Sequence, residues 1–225
     1  MKASLESPGD GWKQDEQVLD TWFSSGLWPL STLGWPTKTD AFEKYFPWDF
    51  ETSAGEIKYL WIARMIMLAL HFTDKIPFKN MLFHGMIRDI QGRKFSKSLG
   101  NGIDPNELRQ HWGTDATRMA LYSYAAPGRD GRANIQTMDE RGKNFRNFGT
   151  KLWNIGRFII EMKPESIKNA TENEHDKEII SKLNKTITEA TKNLESLNLH
   201  LAIDSIYEFI WHEFADIYIE STKTR

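Results

Sequence analysis

The chain has 225 residues, 40% of them hydrophobic and 27% charged, and its formal net charge is −2. That balance describes a folded globular chain and excludes a globally basic nucleic-acid binder, so any such contact must come from a local patch. The absence of cysteine excludes disulfides and thiolate metal sites and fits a reducing, cytoplasmic setting.

The N-terminal stretch MKASLESPGDGWKQDEQ lacks the apolar core of a signal peptide. Val18 to Phe23 is an apolar run bounded by turn formers and predicts a buried strand, as does Met81 to Ile87. Between them, Ile57, Trp61, Met65, Leu68 and Phe72 share one helical stripe. Leu60, Ile62, Ile66 and Leu70 make the other faces apolar too, which predicts a helix buried on most sides. The run from Tyr59 to Phe72 contains Arg64 and His71 and falls short of the ~20 residues of a membrane helix. Strand, helix, strand predicts an α/β layer whose ligand site lies beyond the carboxyl ends of the strands.

The polar stretch GRKFSKSLGNGID, residues 92–104, follows the second strand closely. Lys94 and Lys97 place compact charges on long flexible stems, Ser96 and Ser98 bring hydroxyls, and Gly92, Gly100 and Gly102 let the backbone come close to a ligand. Such a loop can close over a polyphosphate as negative charge moves onto it. By residue chemistry alone that reading and a plain solvated loop stand level.

Beyond residue 137 the strands stop. Phe145, Phe148, Leu152, Ile155, Ile159 and Met162 trace one amphipathic stripe. After a polar linker from Pro164 to His175, Ile180, Leu183, Ile187, Ala190, Leu194 and Leu197 trace a second, and Ile203, Ile206, Ile210, Phe214 and Ile217 a third. These predict part of a helical bundle. The expected division is therefore 1–137, an α/β region, and 138–225, a helical region. The last stripe runs nearly to Arg225 without a stop signal, as in a truncated chain. His212-Glu213-Phe214-Ala215-Asp216 is close to a zinc-protease helix motif but has Asp in place of the second His, and it reads as packing.

FHGMIRDIQGRKFSKSLGNGIDP resembles the second signature loop of class I aminoacyl-tRNA synthetases, with Phe95 where that family has Met. QDEQVLDTWFSSGLWPLSTLGWP and YLWIARMIMLALHF are similar to catalytic-domain segments of the valine-specific members. NFRNFGTKLWNIGRF and LHLAIDSIYEFIWHEFADIYIE are similar to their anticodon-binding helices. The resemblance implies a partial Rossmann-like α/β catalytic domain followed by an incomplete α-helical anticodon-binding domain. It implies ATP-dependent activation of valine to an adenylate and transfer to the 3′ end of tRNA(Val), with ATP and Mg²⁺ entering as substrate complex and no resident metal.

Residue by residue, the resemblance places Lys94 and Lys97 on the ATP phosphates, with Ser96 and Ser98 beside them. It places Glu56 on the ribose, although the family reads Gly-x-Asp where this chain has Ala54-Gly55-Glu56. His84 and Gly85 fall near the adenine, and Trp22 and Trp61 wall the valine pocket. Arg129, Arg141, Lys143, Arg146 and Lys151, with Arg132 and Arg157, form the expected patch for tRNA phosphates. None of the six histidines forms the family's His-x-Gly-His loop, and no editing insertion is present. The chain is therefore expected to be a fragment, inactive and poorly soluble alone, of a monomeric enzyme whose catalytic domain has its front half elsewhere. Two alternatives stand beside this: a non-catalytic tRNA-binding module, and the isoleucine enzyme. The latter typically reads Trp-Phe-Asp-Ser-Gly where this chain has Trp22-Phe23-Ser24-Ser25.

Overall fold

The computed structural model describes residues 3–124, 126–162 and 173–223, with the side chain of Lys97 outside that description. The chain divides into two compact units, Met1–Glu51 with Glu56–Met81, and Thr52–Gly55 with Leu82–Arg225.

In the first unit, the Asp20 carboxylate accepts from the Trp22 N–H at 2.7 Å, and this cap starts helix α1, Thr21–Gly26. The strand expected over Val18 to Phe23 is thus not formed: Val18 is 91% exposed and the following residues wind into α1. A six-residue apolar run satisfies either geometry, and the capping carboxylate decides between them. Helix α2, Trp28–Ser31, carries Pro29 in its first turn, and α3 covers Asp40–Tyr45. Leu30, Phe46 and Ala69 form the core here, with Leu27, Leu33, Trp35 and Phe42 packed around them.

Strand β1, Trp48–Ala54, leads through a 3₁₀ turn, Gly55–Ile57, and a π-helical turn, Lys58–Ile62, into α4, Ala63–Thr73. On α4, Met65 and Ala69 are fully buried, and Ile62 just before it is nearly so. Met67 is 60% exposed, and Leu60, Leu70 and Phe72 are exposed as well. The burial expected on most sides is therefore confined to one face, because α1 and α2 pack on that face alone. Gly26 permits the approach: a β-carbon there would lie 2.8 Å from Leu68 Cδ1 and 3.3 Å from Arg64 Cβ. Strand β2, Phe78–His84, begins before the predicted apolar run and pairs with β1.

In the second unit, β3, Ile87–Arg88, pairs in parallel with β4, Gly131–Arg132, in the register Ile87 to Gly131 and Arg88 to Arg132. The connection between them holds α5, Pro105–Trp112, and α6, Thr114–Tyr122. Parallel strands joined through helices give the expected α/β class, but through other elements than the predicted unit of Val18–Phe23, the Ile57–Phe72 helix and Met81–Ile87, and Met81 to Ile87 is itself divided between two strands at Gly85-Met86. Leu108, Ala133 and Met138 make the core beneath, flanked by Ile87, Ile103, Trp112, Leu121 and Tyr124.

Helix α7, Ile135–Glu161, opens with a reciprocal cap between Asn134 and Thr137, and α8, Glu174–Glu195, with one between Asn173 and Asp176. The linker expected from Pro164 lies outside the described residues as far as residue 172, and His175 already belongs to α8. Leu197, at φ 59°, ends the helix in a left-handed turn closed by the Asn198 N–H on Asn193 O at 2.8 Å. Helix α9, Leu199–Glu208, continues into a π-helical segment, Phe209–Ile219, and a last turn, α10, Glu220–Thr222. Rings tie these helices together: Tyr207 stacks on Phe148 at 5.0 Å and on Trp211 at 5.5 Å. Ile155, Ala215 and Ile219 form a core with Phe158, Phe214 and Tyr218 around it. The apolar stripes are less covered than their periodicity predicts. Of the α8 stripe only Ala190 is buried, because α9 and the π-helical segment pack along one side of that helix.

Candidate functional site

The lysine–serine loop leaves the carboxyl end of β3, and its root is built on Asp89. Although the stretch is polar and largely exposed, Asp89 itself is only 5% exposed. Its carboxylate accepts from the Arg93 N–H at 2.8 Å, from Arg93 Nε at 2.7 Å and from Asn101 Nδ2 at 2.9 Å. Burial is the largest single influence and pushes its pKa up. The bonds from Asn101, from the Arg93 backbone and from the Arg93 side chain, with the guanidinium charge, outweigh it and hold the carboxyl at about 2.

Asn101 carries the order inward. Its Oδ1 accepts from the Ser96 N–H at 2.9 Å, and its Nδ2 also reaches Lys94 O at 3.3 Å. The Ser96 and Ser98 hydroxyls lie 2.6 Å apart, and the Ser98 N–H donates to Ser96 Oγ at 3.2 Å, at the start of a 3₁₀ turn over Lys97–Leu99. Phe95, Ser96, Gly100 and Gly102 line an open hollow of about 410 Å³ beside this turn. The Lys94 side chain is exposed, whereas the side chain of Lys97 lies outside the described residues.

Next to the loop, Gly85 packs against the turn that precedes β4. A β-carbon on Gly85 would stand 1.5 Å from Arg129 O and 2.3 Å from its carbonyl carbon, so only glycine fits there. Asp130 accepts from the Met86 N–H at 2.9 Å and from Arg88 Nε at 2.5 Å. The Arg88 bond, then the Met86 N–H, lower its pKa against the opposing effect of burial. His84 Nδ1 donates to Gly85 O at 2.9 Å, which leaves Nε2 as the acceptor of the ring. Arg129 is exposed on that turn and Arg132 on β4, with the Arg132 guanidinium close to Gly92.

In the first unit, Trp61 Nε1 donates to Ser25 O at 3.0 Å, and the Arg64 guanidinium lies 5.7 Å from the Trp22 ring centre. Both tryptophans named from the sequence thus meet α1, Trp22 as part of it and Trp61 from the π-helical turn. Glu56 is exposed in the 3₁₀ turn after β1.

The basic residues of α7 divide. Arg141 donates to Ser123 Oγ at 2.7 Å and stacks over the Tyr124 ring at 4.4 Å. Lys151 pairs with Asp216 at 2.5 Å and lies 4.1 Å from the Trp211 ring centre, with its side chain 24% exposed. Arg146 reaches His111 O at 3.1 Å, and Lys143 is exposed. His212 stands between Glu208 and Asp216 on its own helix, at 3.9 and 3.6 Å.

Sequence reasoning missed Asp89, Asn101 and Asp130. The available signal was an acid directly after an apolar strand, followed by a Gly-Asn pair at the far end of the glycine-bounded loop.

The chain matches the family model for class I tRNA synthetases (I, L, M and V) over residues 1–134, and that for the anticodon-binding domain of tRNA ligases over 176–225. It is 45% identical to the valine–tRNA ligase of Streptococcus thermophilus across 97% of its own length and 26% of that protein. It is 46% identical to that of Clostridium tetani across 93% of its length and 24% of that protein. The chain thus spans about a quarter of the length of the curated relatives it matches. Among solved structures, a LeuRS–tRNA–LeuAMS ternary complex from Agrobacterium radiobacter aligns over 87% of this chain and 27% of the other, with a TM-score of 0.70 at 23% identity. A methionyl-tRNA synthetase of Mycobacterium tuberculosis in complex with methionyl-adenylate aligns over 80% and 36%, with a TM-score of 0.62 at 21% identity. These two share the fold. Among the described residues no helix is long and apolar enough to cross a membrane. With a class I tRNA synthetase family model over more than half its length and an anticodon-binding domain model after it, this chain belongs to the class I tRNA synthetases.

Proposed function

We propose that the chain supplies the rear part of the catalytic domain and part of the anticodon-binding domain of a cytoplasmic, monomeric valine–tRNA ligase, divided near residues 137 and 138. The observation that carries this reading is the place of the lysine–serine loop: it leaves the carboxyl end of β3, next to the parallel strand β4, where α/β sheets hold their ligands. The likeness to valine–tRNA ligases over nearly the whole chain supports valine as the substrate.

In this reading the valine carboxylate attacks the α-phosphorus of magnesium-bound ATP. An oxygen–phosphorus bond forms, the bond to the β-phosphate oxygen breaks, and pyrophosphate departs. Lys94 and Lys97 neutralise the charge that grows on the departing group, and Ser96 and Ser98 donate to its oxygens. Glu56 accepts from the ribose hydroxyls, and the Nε2 acceptor of His84, beside Gly85, faces the amino group of adenine. Trp22 and Trp61 bound the side-chain pocket, where rigid indoles leave no room for the extra methylene of isoleucine. In the second step a ribose hydroxyl of tRNA(Val) attacks the valyl carbonyl, and AMP leaves. Arg129, Lys143 and Arg146 hold tRNA phosphates, with Arg141 and Lys151 serving chiefly to brace α7.

The test is ATP–pyrophosphate exchange by the full-length protein with valine, isoleucine and threonine. Valine is expected to lead, with threonine about a hundredfold behind. Preference for isoleucine would reassign the substrate. Binding of tRNA with no amino-acid-dependent exchange would overturn the catalytic reading in favour of a binding module.

A further inference from the structure

An ionised carboxylate in a largely exposed loop gains nothing from water when it is buried, and burial is costly unless each oxygen is satisfied. Asp89 meets that condition with three donors, and those donors come from both ends of the loop. The Arg93 N–H and Nε lie at the entry, and Asn101 Nδ2 lies at the exit. The entry is closed further by the Asp89 N–H on Arg93 O at 3.0 Å and the Gly92 N–H on Asp89 O at 2.8 Å. The exit residue then holds the middle of the loop through Ser96 N–H and Lys94 O.

We infer that Asp89 is a positioning residue, joined with Asn101 in a latch that fixes the backbone path from Lys94 to Ser98 against the end of β3. This rests on the phosphate-binding reading of the loop. The three bonds take three of the four lone-pair sites of the Asp89 carboxylate, and its low pKa keeps it charged throughout the neutral range. What it contributes is geometry, and a displacement of about 1 Å in a charge-stabilising group is enough to cost about a hundredfold in rate.

The test uses three variants of the full-length protein: Asp89→Asn, Asn101→Asp, and the two together. Asp89→Asn keeps the shape but sets an amide donor against the Arg93 and Asn101 donors. Asn101→Asp sets two carboxylates face to face. The double variant restores one carboxylate and one amide in exchanged places. The amide at position 89 then donates to the carboxylate at position 101, which still accepts from the Ser96 N–H. Hydrogen–deuterium exchange of the peptide covering residues 93–101 is measured with an α7 peptide as internal reference.

Each single variant is expected to raise exchange of the loop peptide about tenfold, with α7 unchanged. In ATP–pyrophosphate exchange each is expected to lower kcat about a hundredfold, with KM for valine held within about twofold. The double variant is expected to recover part of both losses, since the amide at position 89 regains position 101 but still meets the Arg93 Nε donor, and the carboxylate at position 101 cannot donate to Lys94 O. Loop exchange that stays at the wild-type rate in both single variants, or a double variant no better than either, would overturn the latch. Loss of protection in α7 as well would overturn it too, by showing a general structural role. The amide readout needs no turnover. If Lys94→Ala leaves catalysis intact while Asp89→Asn still loosens the loop, the functional reading fails and the latch stands.

Discussion

The lysine–serine loop and the helices that follow it are ordered by opposite means. The loop depends on one buried carboxylate and one amide, whose few directional bonds reach from Arg93 to Asn101. The region from α7 to α10 depends on rings and aliphatic groups, with Tyr207 between Phe148 and Trp211 and with Ile155, Ala215 and Ile219 sharing a core. Directional bonds to a desolvated charge fail all at once when one partner changes, whereas apolar area fails by degrees. Directional order and apolar bulk are thus held apart within one compact unit.

The comparison breaks most sharply if the loop proves to matter for folding. Replacing Lys94 and Lys97 together by alanine should reduce adenylate formation by the full-length protein about a thousandfold while leaving the melting temperature in place. A large fall in melting temperature would show that the loop also supports the fold. Next in size is Gly85→Ala. With a backbone oxygen 1.5 Å from the new β-carbon, the turn before β4 must move, and a loss of about 3 kcal/mol is expected in urea unfolding.

On the helical side, Tyr207→Ala should lose about 2 kcal/mol and Tyr207→Phe almost nothing, since stacking carries the effect rather than the hydroxyl. Equal losses would refute a ring-based account. Titration sets the two regions apart at opposite ends of the pH scale. Asp89 has a native pKa of about 2, below its unfolded value of 3.8, so the native state binds fewer protons between them. Its contribution is complete above about pH 4 and lost as pH falls towards 2. Asp89→Asn should flatten that part of an acid-unfolding profile. Burial, then the nearby Glu208 and Asp216 charges, raise the pKa of Tyr207, so its contribution is complete below 10.0 and lost above it, as ultraviolet absorbance of the phenolate would record. The smallest effect is expected from Lys151→Met. Its pairing with Asp216 and its contact with Trp211 together should be worth about 1 kcal/mol or less in thermal unfolding.

Much of this was legible in the residues. The glycines of residues 92–104 marked a loop after an apolar strand, and the helical stripes marked α7, α8 and α9. Three things were not. Val18 to Phe23 satisfied a strand pattern, and only the carboxylate of Asp20, two residues before Trp22, tipped the chain into a helix. The stripes located the helices but not their burial, which depends on what packs beside them: Ile187 and Leu194 stay exposed on a strongly periodic face. The pairings of Asp89 with Asn101, and of Asp130 with Arg88, span 12 and 42 positions and leave no periodic trace.

The wide winding of Phe209–Ile219 carries one last consequence. In an ordinary helix neighbours along a face are three or four apart, but here Phe209 lies over Phe214, five positions on, at 6.2 Å. Deleting a single residue from that span would swivel everything beyond it about the axis and bring different rings together. Segment length, more than greasiness, therefore dictates which partners meet at this end of the molecule.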